Sequence, residues 1–298
     1  MESSGEEAGS PGSEEDGSPA GGEAGSPVAE EAASPAATGG AVRLFRAQVA
    51  YDGGRFHGFQ YQPGLPTVQG EIERALRQIA TPVDRVQGAG RTDAGVHALG
   101  QVCNFQLITR LGPDRLRAAL NAHLPPDIRM FRLEEAPVGF SARFSACWRK
   151  YRYWIVPRED PFLRGRAHLA RPWPDMEAMN RAAASLLGEH EFRSFTTQRE
   201  GPYGCRVHEA QWTPWGGGMV FTIRSDRFVY QMVRILTGSF LEIGRGRLAP
   251  DALERILRQQ DRRASGPLAP ACGLYLVRVG YEPSWPEDAD EAIPLIPR

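Results

Sequence analysis

Gly88-Ala89-Gly90-Arg91-Thr92-Asp93-Ala94-Gly95-Val96-His97 sets four polar side chains, Arg91, Thr92, Asp93 and His97, among three glycines. Val83 to Gln87 before it reads as a strand. Gln101-Val102-Cys103-Asn104-Phe105 after it reads as another, with Val102 and Phe105 packing inward. Glycine tolerates positive φ and the close approach of a ligand, so the run predicts a rigid, ligand-facing connection between two strands. Arg91 stands two residues from Asp93, a pairing that would hold the acid ionised at neutral pH. Composition alone reads the same loop as a turn closed by a surface ion pair, and the rest of the chain must decide between the two.

Working outward, the flanks differ from what lies between them. Residues 1–40 hold nine acidic residues and no Lys or Arg, among Gly, Ser, Ala and Pro. Such a segment has no apolar periodicity to offset its ordering entropy, so 1–41 is expected to be a disordered acidic tail. From Glu282 the chain is again rich in Pro and acids, and 282–298 is expected to be loosely held. Between them lies enough chain for one large or two modest domains. Without the flanks the net charge moves from -1 to +12, with 34 basic against 22 acidic residues. A basic body with acidic tails points to a polyanionic partner, nucleic acid first. Lys150 is the only lysine. Arginine suits bidentate phosphate and base contacts, although biased codon usage explains the imbalance equally well.

Cys103, Cys147, Cys205 and Cys272 lie far apart in or near apolar segments, with no CxxC pair. Buried free thiols in a reducing compartment are expected, and no zinc site. No basic-then-apolar signal segment opens the chain, and no apolar run approaches membrane-spanning length. The expected location is cytoplasmic.

The pattern along the chain is strand, helix, strand, strand, helix, strand, twice. Leu44–Ala50 alternates and runs into the turn Tyr51-Asp52-Gly53-Gly54. Thr67 caps a helix expected over Val68–Ile79, and Gly70 within it implies close packing or a ligand. Pro113 opens a helix to about Ala122, and Ile128–Leu133 returns to strand. Phe140 to Arg149 reads as a hinge rich in aromatic and basic residues. In the strand that follows, Tyr151, Tyr153 and Ile155 share one face, and Arg152 and Trp154 the other. Pro174 opens a helix striped by Met176, Met179, Ala183 and Leu186. Cys205–Trp212 and Met219–Ile223 flank a flexible Trp215-Gly216-Gly217-Gly218 hairpin connection. Helices are expected over Phe228–Leu241 and Ala249–Leu257, and a last strand over Gly273–Val279. This is the ferredoxin-like arrangement repeated. It predicts an α+β protein of two ferredoxin-like halves, 42–145 and 146–281.

Asp93 is the leading catalytic candidate, the one acid inside a Gly-flanked loop between predicted strands. Arg91 binds phosphate or holds Asp93. His97 reads as a ligand or, beside Ala98 and Leu99, as a structural histidine. Tyr151 reads as a core tyrosine or as a ring that stacks on a base. Arg234, in the apolar stretch Val233-Arg234-Ile235-Leu236, needs a partner acid if buried, and Asp93 would serve. Phe56, His57, Phe59 and Gln60 form a cluster near Tyr51 and Asp52 that would pack a groove wall. The basic runs from Arg143 to Arg152 and from Arg245 to Arg247 read as phosphate contacts or as solvated surface.

These residues resemble the TruA-type tRNA pseudouridine synthases. The similarity runs from about Phe45 to Tyr281 and rests on seven further stretches in order around Gly90-Arg91-Thr92-Asp93-Ala94-Gly95-Val96-His97-Ala98. They are Tyr51-Asp52-Gly53, Phe56-His57-Gly58-Phe59-Gln60, Thr67-Val68-Gln69, Ala142-Arg143-Phe144-Ser145-Ala146, Tyr151-Arg152-Tyr153, Met232-Val233-Arg234 and Gly273-Leu274-Tyr275-Leu276-Val277. Two departures stand out: Phe59 where the family usually has tryptophan, and Tyr230-Gln231 in place of a histidine-rich pair.

The resemblance implies Asp93 as the catalytic aspartate, Tyr151 stacked on the target base and Arg234 paired to the aspartate. It implies Arg91 as the residue that helps extrude the nucleotide. Tyr51, His57, Gln60, His97, Arg143 and Arg149 are the further substrate contacts expected from the sequence. The resemblance further implies two halves whose antiparallel sheets join around a central basic cleft, a homodimer, tRNA as partner, and neither metal nor cofactor. The implied reaction converts uridine to pseudouridine in the anticodon stem-loop, at positions 38, 39 and 40. Asp93 acts either as nucleophile at C1′ or as base at C2′. The alternatives are a non-catalytic RNA-binding protein, a synthase acting on another RNA site, and a hydrolase using Asp93. The last lacks a visible second acid or metal cluster.

Overall fold

The computed structural model describes residues 41–282, so the two expected tails fall outside the described residues except for Ala41 and Glu282. The elements in order are β1 (Val42–Tyr51), α1 (Val68–Ile79), β2 (Thr81–Pro82), β3 (Gln87–Gly88), β4 (His97–Ile108), α2 (Pro113–His123) and β5 (Ile128–Glu135). Then come β6 (Ala146–Val156), β7 (His168–Leu169), α3 (Met176–Ala183), β8 (Gly188–Glu191), β9 (Gly204–Trp215), β10 (Gly218–Ser225), α4 (Met232–Gly244), α5 (Ala252–Gln259) and β11 (Leu274–Tyr281). One mixed sheet runs β5-β1-β4-β11-β6-β10-β9-β8, with β2 and β3 on β4 and β7 on β6. The fold is α+β.

Most neighbours in this sheet are antiparallel. The pair that joins its two sides is parallel and short: β11 meets β4 through Tyr275 opposite His97 and Leu276 opposite Ala98. That seam lies at the start of β4, directly after the glycine loop. Each of α1 to α5 contributes to one large core, which also takes Tyr151, Tyr153 and Ile155 from β6. Trp154 and Val156 face the other way, into a smaller cluster with Leu99, Val220, Tyr275 and Val277. The alternation expected in β6 is therefore the alternation observed.

Thr67 caps α1 by accepting from Gly70 N–H at 3.2 Å. The same contact explains Gly70, where an added Cβ would lie 2.9 Å from the Thr67 hydroxyl. Gly216 and Gly217, at φ 45° and 81°, form the two-residue turn between β9 and β10, as hairpin twist requires.

Four expectations change. Of Val83–Gln87 only Gln87 is strand, because Val83 and Asp84 engage Gln106 while Val86 N–H donates to the buried Glu73 carboxylate of α1 at 3.2 Å. Only the short β2 and β3 remain. The hinge ends at Ser145, since β6 already begins at Ala146. α4 starts at Met232, not Phe228, because Gln231 sits in the left-handed region at φ 62°, where a helix cannot propagate. Val229 belongs to the large core, Phe228 packs against it, and both also wall a cavity. Finally, Cys103 and Cys205 are buried, Cys272 is half-buried and Cys147 is exposed. Burial pushes the Cys103 and Cys205 thiols up to about 12.

α4 packs at Gly238 against backbone: an added Cβ would stand 1.7 Å from the Pro267 carbonyl oxygen. Backbone cannot swing aside as a side chain can. Gly238→Ala should therefore destabilise the protein by about 1–3 kcal/mol or more, read as a lower denaturation midpoint.

Candidate active site

The glycine loop is held from behind. Ala89 N–H donates to Val102 O at 2.8 Å, and Gln101 Nε2 donates to Gly90 O at 2.7 Å. Gln101 is fully buried on β4, so this polar side chain is retained where a sheet core would otherwise be apolar. Phe59 N–H donates to Thr92 O at 3.1 Å, Gly95 N–H donates to Phe56 O at 3.2 Å, and Tyr51 Oη meets Thr92 Oγ1 at 2.8 Å. Gly58, at φ 89°, lies so close that a Cβ would meet Thr92 O at 2.6 Å. The aromatic stretch Phe56–Phe59 is thus the bed of the loop.

Asp93 emerges from this bed. Its Oδ2 accepts from Arg234 Nη1 at 2.8 Å, and the two side chains are 15% and 13% exposed. Arg234 comes from the first turn of α4, and its Nε donates to Ala269 O at 2.8 Å. Arg91, two residues from Asp93, is exposed. Tyr151 of β6 is 8% exposed, packs edge-on against Phe228 at 4.9 Å, and has its hydroxyl over Gly90. Burial drives the Tyr151 phenol above its usual range, with the Asp93 charge adding to the effect, so the ring is neutral at physiological pH.

Gln60, Arg91, Asp93, Arg143, Arg149 and Tyr151 line one cavity of about 1110 Å³. The other expected contacts are not brought to it. Tyr51 lies under the loop. His57 is exposed, outside the lining. His97 is buried, with Gly53 N–H donating to Nδ1 at 3.0 Å, Nε2 3.0 Å from Gly165 O, and its ring stacked on Tyr275. Both nitrogens serve the framework, the structural alternative for this residue.

Arg149 reaches the cavity but its Nη hydrogens go to backbone: Ala146 O and Asp226 O from Nη1, Ala89 O and Arg143 O from Nη2. The Arg245 to Arg247 run does not line the cavity; both arginines pair with Glu242. Reading the sequence missed the wall formed by Arg227 to Gln231, which the structure adds to the lining. Its signal is the apolar Phe228-Val229 pair, which in one dimension looks like the start of a helix. Among the described residues no three His, Cys, Asp or Glu side chains gather as a metal site, and no helix is long and apolar enough to cross a membrane.

The cavity thus sets an aspartate–arginine pair and a buried tyrosine beside exposed Arg91, in an α+β protein with one mixed sheet. Residues 47–145 and 182–282 match the family described as tRNA pseudouridine synthase, and the chain belongs to that family. It is similar to tRNA pseudouridine synthase A of Methylacidiphilum infernorum (isolate V4), with 41% identity over 82% of this chain and 97% of the relative. It is likewise similar to the proteins of that name from Bacillus subtilis (strain 168), 40% identical over 80% and 98% of the two chains, and Geobacillus kaustophilus (strain HTA426), 43% identical over 78% and 93%.

Proposed function

We infer that this protein isomerises uridine to pseudouridine in tRNA, with Asp93 as the catalytic carboxylate. The observation that carries the reading is the Asp93–Arg234 pair beside Tyr151 in an arginine-rimmed cavity, in a chain of this family. With Oδ2 engaged by Arg234, Oδ1 is the oxygen offered to the ribose. As nucleophile it forms a bond to C1′ while the C1′–N1 bond breaks. The uracil turns in place, C5 then bonds to C1′ and displaces the carboxylate. The C5 proton goes to solvent and N1 regains one. As base, Asp93 takes the C2′ proton as the C1′–N1 bond breaks and a C1′=C2′ double bond forms; C5 then bonds to C1′ as the proton returns to C2′, and again C5 loses its proton and N1 gains one. Arg91 is proposed to help extrude the nucleotide, whose unstacking costs a few kcal/mol, and Gln60 and Arg143 to contact the RNA.

Several finer readings go with this one. Uridines 38, 39 and 40 of the anticodon stem-loop are the proposed targets. Residues 42–145 and 146–281 are proposed as two ferredoxin-like halves around a basic cleft. The strand orders β5-β1-β4-β2/β3 and β11-β6-β10-β9 support this, since each follows the same 4-1-3-2 sequence. A homodimer is proposed on the resemblance alone, and a cytoplasmic location on the four widely spaced free cysteines. A single-chain mass in light scattering at micromolar concentration overturns the dimer.

Tritium release from tRNA carrying [5-³H]uridine tests the reading, because only loss of the C5 proton frees the label. Release without change in RNA mass is expected. RNA binding with no release, over a panel of tRNAs, favours the non-catalytic alternative, and release from other positions favours a different RNA site. Tyr151→Phe keeps the ring and removes the hydroxyl. Its kcat should fall by about 10²-fold or more if the hydroxyl handles a proton, with little change in KM. An unchanged kcat would assign Tyr151 to stacking alone.

A further inference from the structure

Phe144 is 80% exposed and lines the cavity that holds Asp93. An exposed ring on a mobile loop needs no explanation, but this one stands on a pinned turn. Phe144 N–H donates to Ser141 Oγ at 3.3 Å, Ser141 N–H to Ser145 Oγ at 3.1 Å, and Ser145 N–H to Ser141 O at 2.9 Å. The turn is also tied to the framework. Ala142 N–H donates to Asn104 Oδ1 on β4 at 2.8 Å, Tyr281 Oη donates to Ala142 O at 2.8 Å, and Arg149 donates to Arg143 O at 2.6 Å. The same Arg149 guanidinium holds Ala89, at the root of the Asp93 loop. The ring therefore keeps its exposure by construction and keeps its register with Asp93. The Arg143 guanidinium carbon lies 5.2 Å from the ring centroid, putting a phosphate-seeking cation beside an exposed aromatic ring.

We propose that Phe144 is a stacking platform for the base of a nucleotide next to the target uridine, with Arg143 on the adjoining phosphate. The proposal deepens the RNA-modifying reading and rests on it for the choice of RNA. When the target leaves its stack, each neighbouring base loses one stacked face, and a rim aromatic replaces one of them. Tyr151 is too deep for this task, being buried against Phe228 and Gly90. A pre-organised ring loses little entropy on binding, so stacking of the size measured for single-stranded RNA is expected, about 5- to 100-fold in affinity.

The test uses the full chain with an anticodon stem-loop RNA carrying 2-aminopurine beside the target uridine, in wild type, Phe144→Ala, Phe144→Leu and Phe144→Trp. Stacking quenches the probe. Wild type and Phe144→Trp should quench; Phe144→Ala and Phe144→Leu should not, and should bind about tenfold more weakly. Because the side chain is exposed, thermal midpoints should stay within a degree or two. Equal quenching and affinity in all four proteins overturns the proposal. So does a change of oligomeric state in Phe144→Ala without RNA, which would make the ring a protein contact. Phe144-dependent quenching in a wild-type protein that releases no tritium would support the platform while sinking the isomerase reading. Release by wild type with no Phe144-dependent quenching does the reverse.

Discussion

Asp93→Asn is expected to eliminate tritium release, by about 10⁴-fold or more, in a protein that still folds and still binds tRNA. An amide has the carboxylate's shape, and its oxygen still accepts from Arg234 across the 2.8 Å contact. It is neither a nucleophile toward C1′ nor a base toward C2′. Asp93→Ala is the poorer experiment. It strands a guanidinium that is 13% exposed, and breaking such a pair by removing one partner costs about 3–5 kcal/mol. Loss of activity would then be confounded with loss of fold. Single-turnover release, filter binding and a thermal melt on the asparagine variant separate the possibilities. Release within tenfold of wild type would remove Asp93 from the chemistry.

Arg149→Met should be the most destabilising substitution near the cavity. The side chain spans four backbone carbonyls from three segments: Ala89 in the glycine loop, Arg143 and Ala146 around the turn, and Asp226 after β10. Burial draws its pKa down from the ordinary arginine value, yet the charge persists, and hydrogen bonds from a charged donor contribute about 1.5–3 kcal/mol each. They are not additive, and some of the freed carbonyls will find water. A net loss of about 3–5 kcal/mol is expected, which for a domain of this size lowers Tm by about 10 °C or more. Arg149→Lys should recover part of it, since an ammonium cannot fork across four acceptors. The salt dependence of RNA binding discriminates the role. If the Arg143 guanidinium sits on a phosphate, Arg143→Ala should lower the slope of log K against log salt by about one; Arg149→Met, which also removes a charge, should leave it unchanged. A slope lowered by about one in Arg149→Met would return Arg149 to the substrate contacts.

How far such residues are legible in the sequence depends on the range of the interaction that defines them. The boundaries of α1, Val68–Ile79, were readable because Thr67 bonds a residue three positions away. The two faces of β6 were readable because alternation is intrinsic to extended chain. α4 was misread at its start because the left-handed turn at Gln231 is made by a residue with no marked preference for it. Val83–Gln87 reads as a strand, yet Val83 to Val86 fall between β2 and β3, because the carboxylate that takes the Val86 N–H comes from Glu73, in a preceding helix. His97 and Arg149 look like ligands in one dimension. Only the positions of Gly53, Gly165, Ala89 and Asp226 turn them into struts.

By itself, then, the sequence determined most of the elements, the two faces of β6, the glycine loop as the connection that leads into β4, and Asp93 and Arg234 as residues in need of partners. It offered Asp93 two arginines, one two residues away and one 141 residues away. The tertiary structure alone decided for the distant one. Propensity, capping and periodicity act over a few residues, and they leave open which strands meet. The parallel seam of β4 and β11 joins the two sides of the sheet, and across that join the first turn of α4 reaches the loop. The fold leaves Phe144 exposed and Tyr151 buried, a difference that two aromatic residues seven positions apart cannot carry in their local sequence.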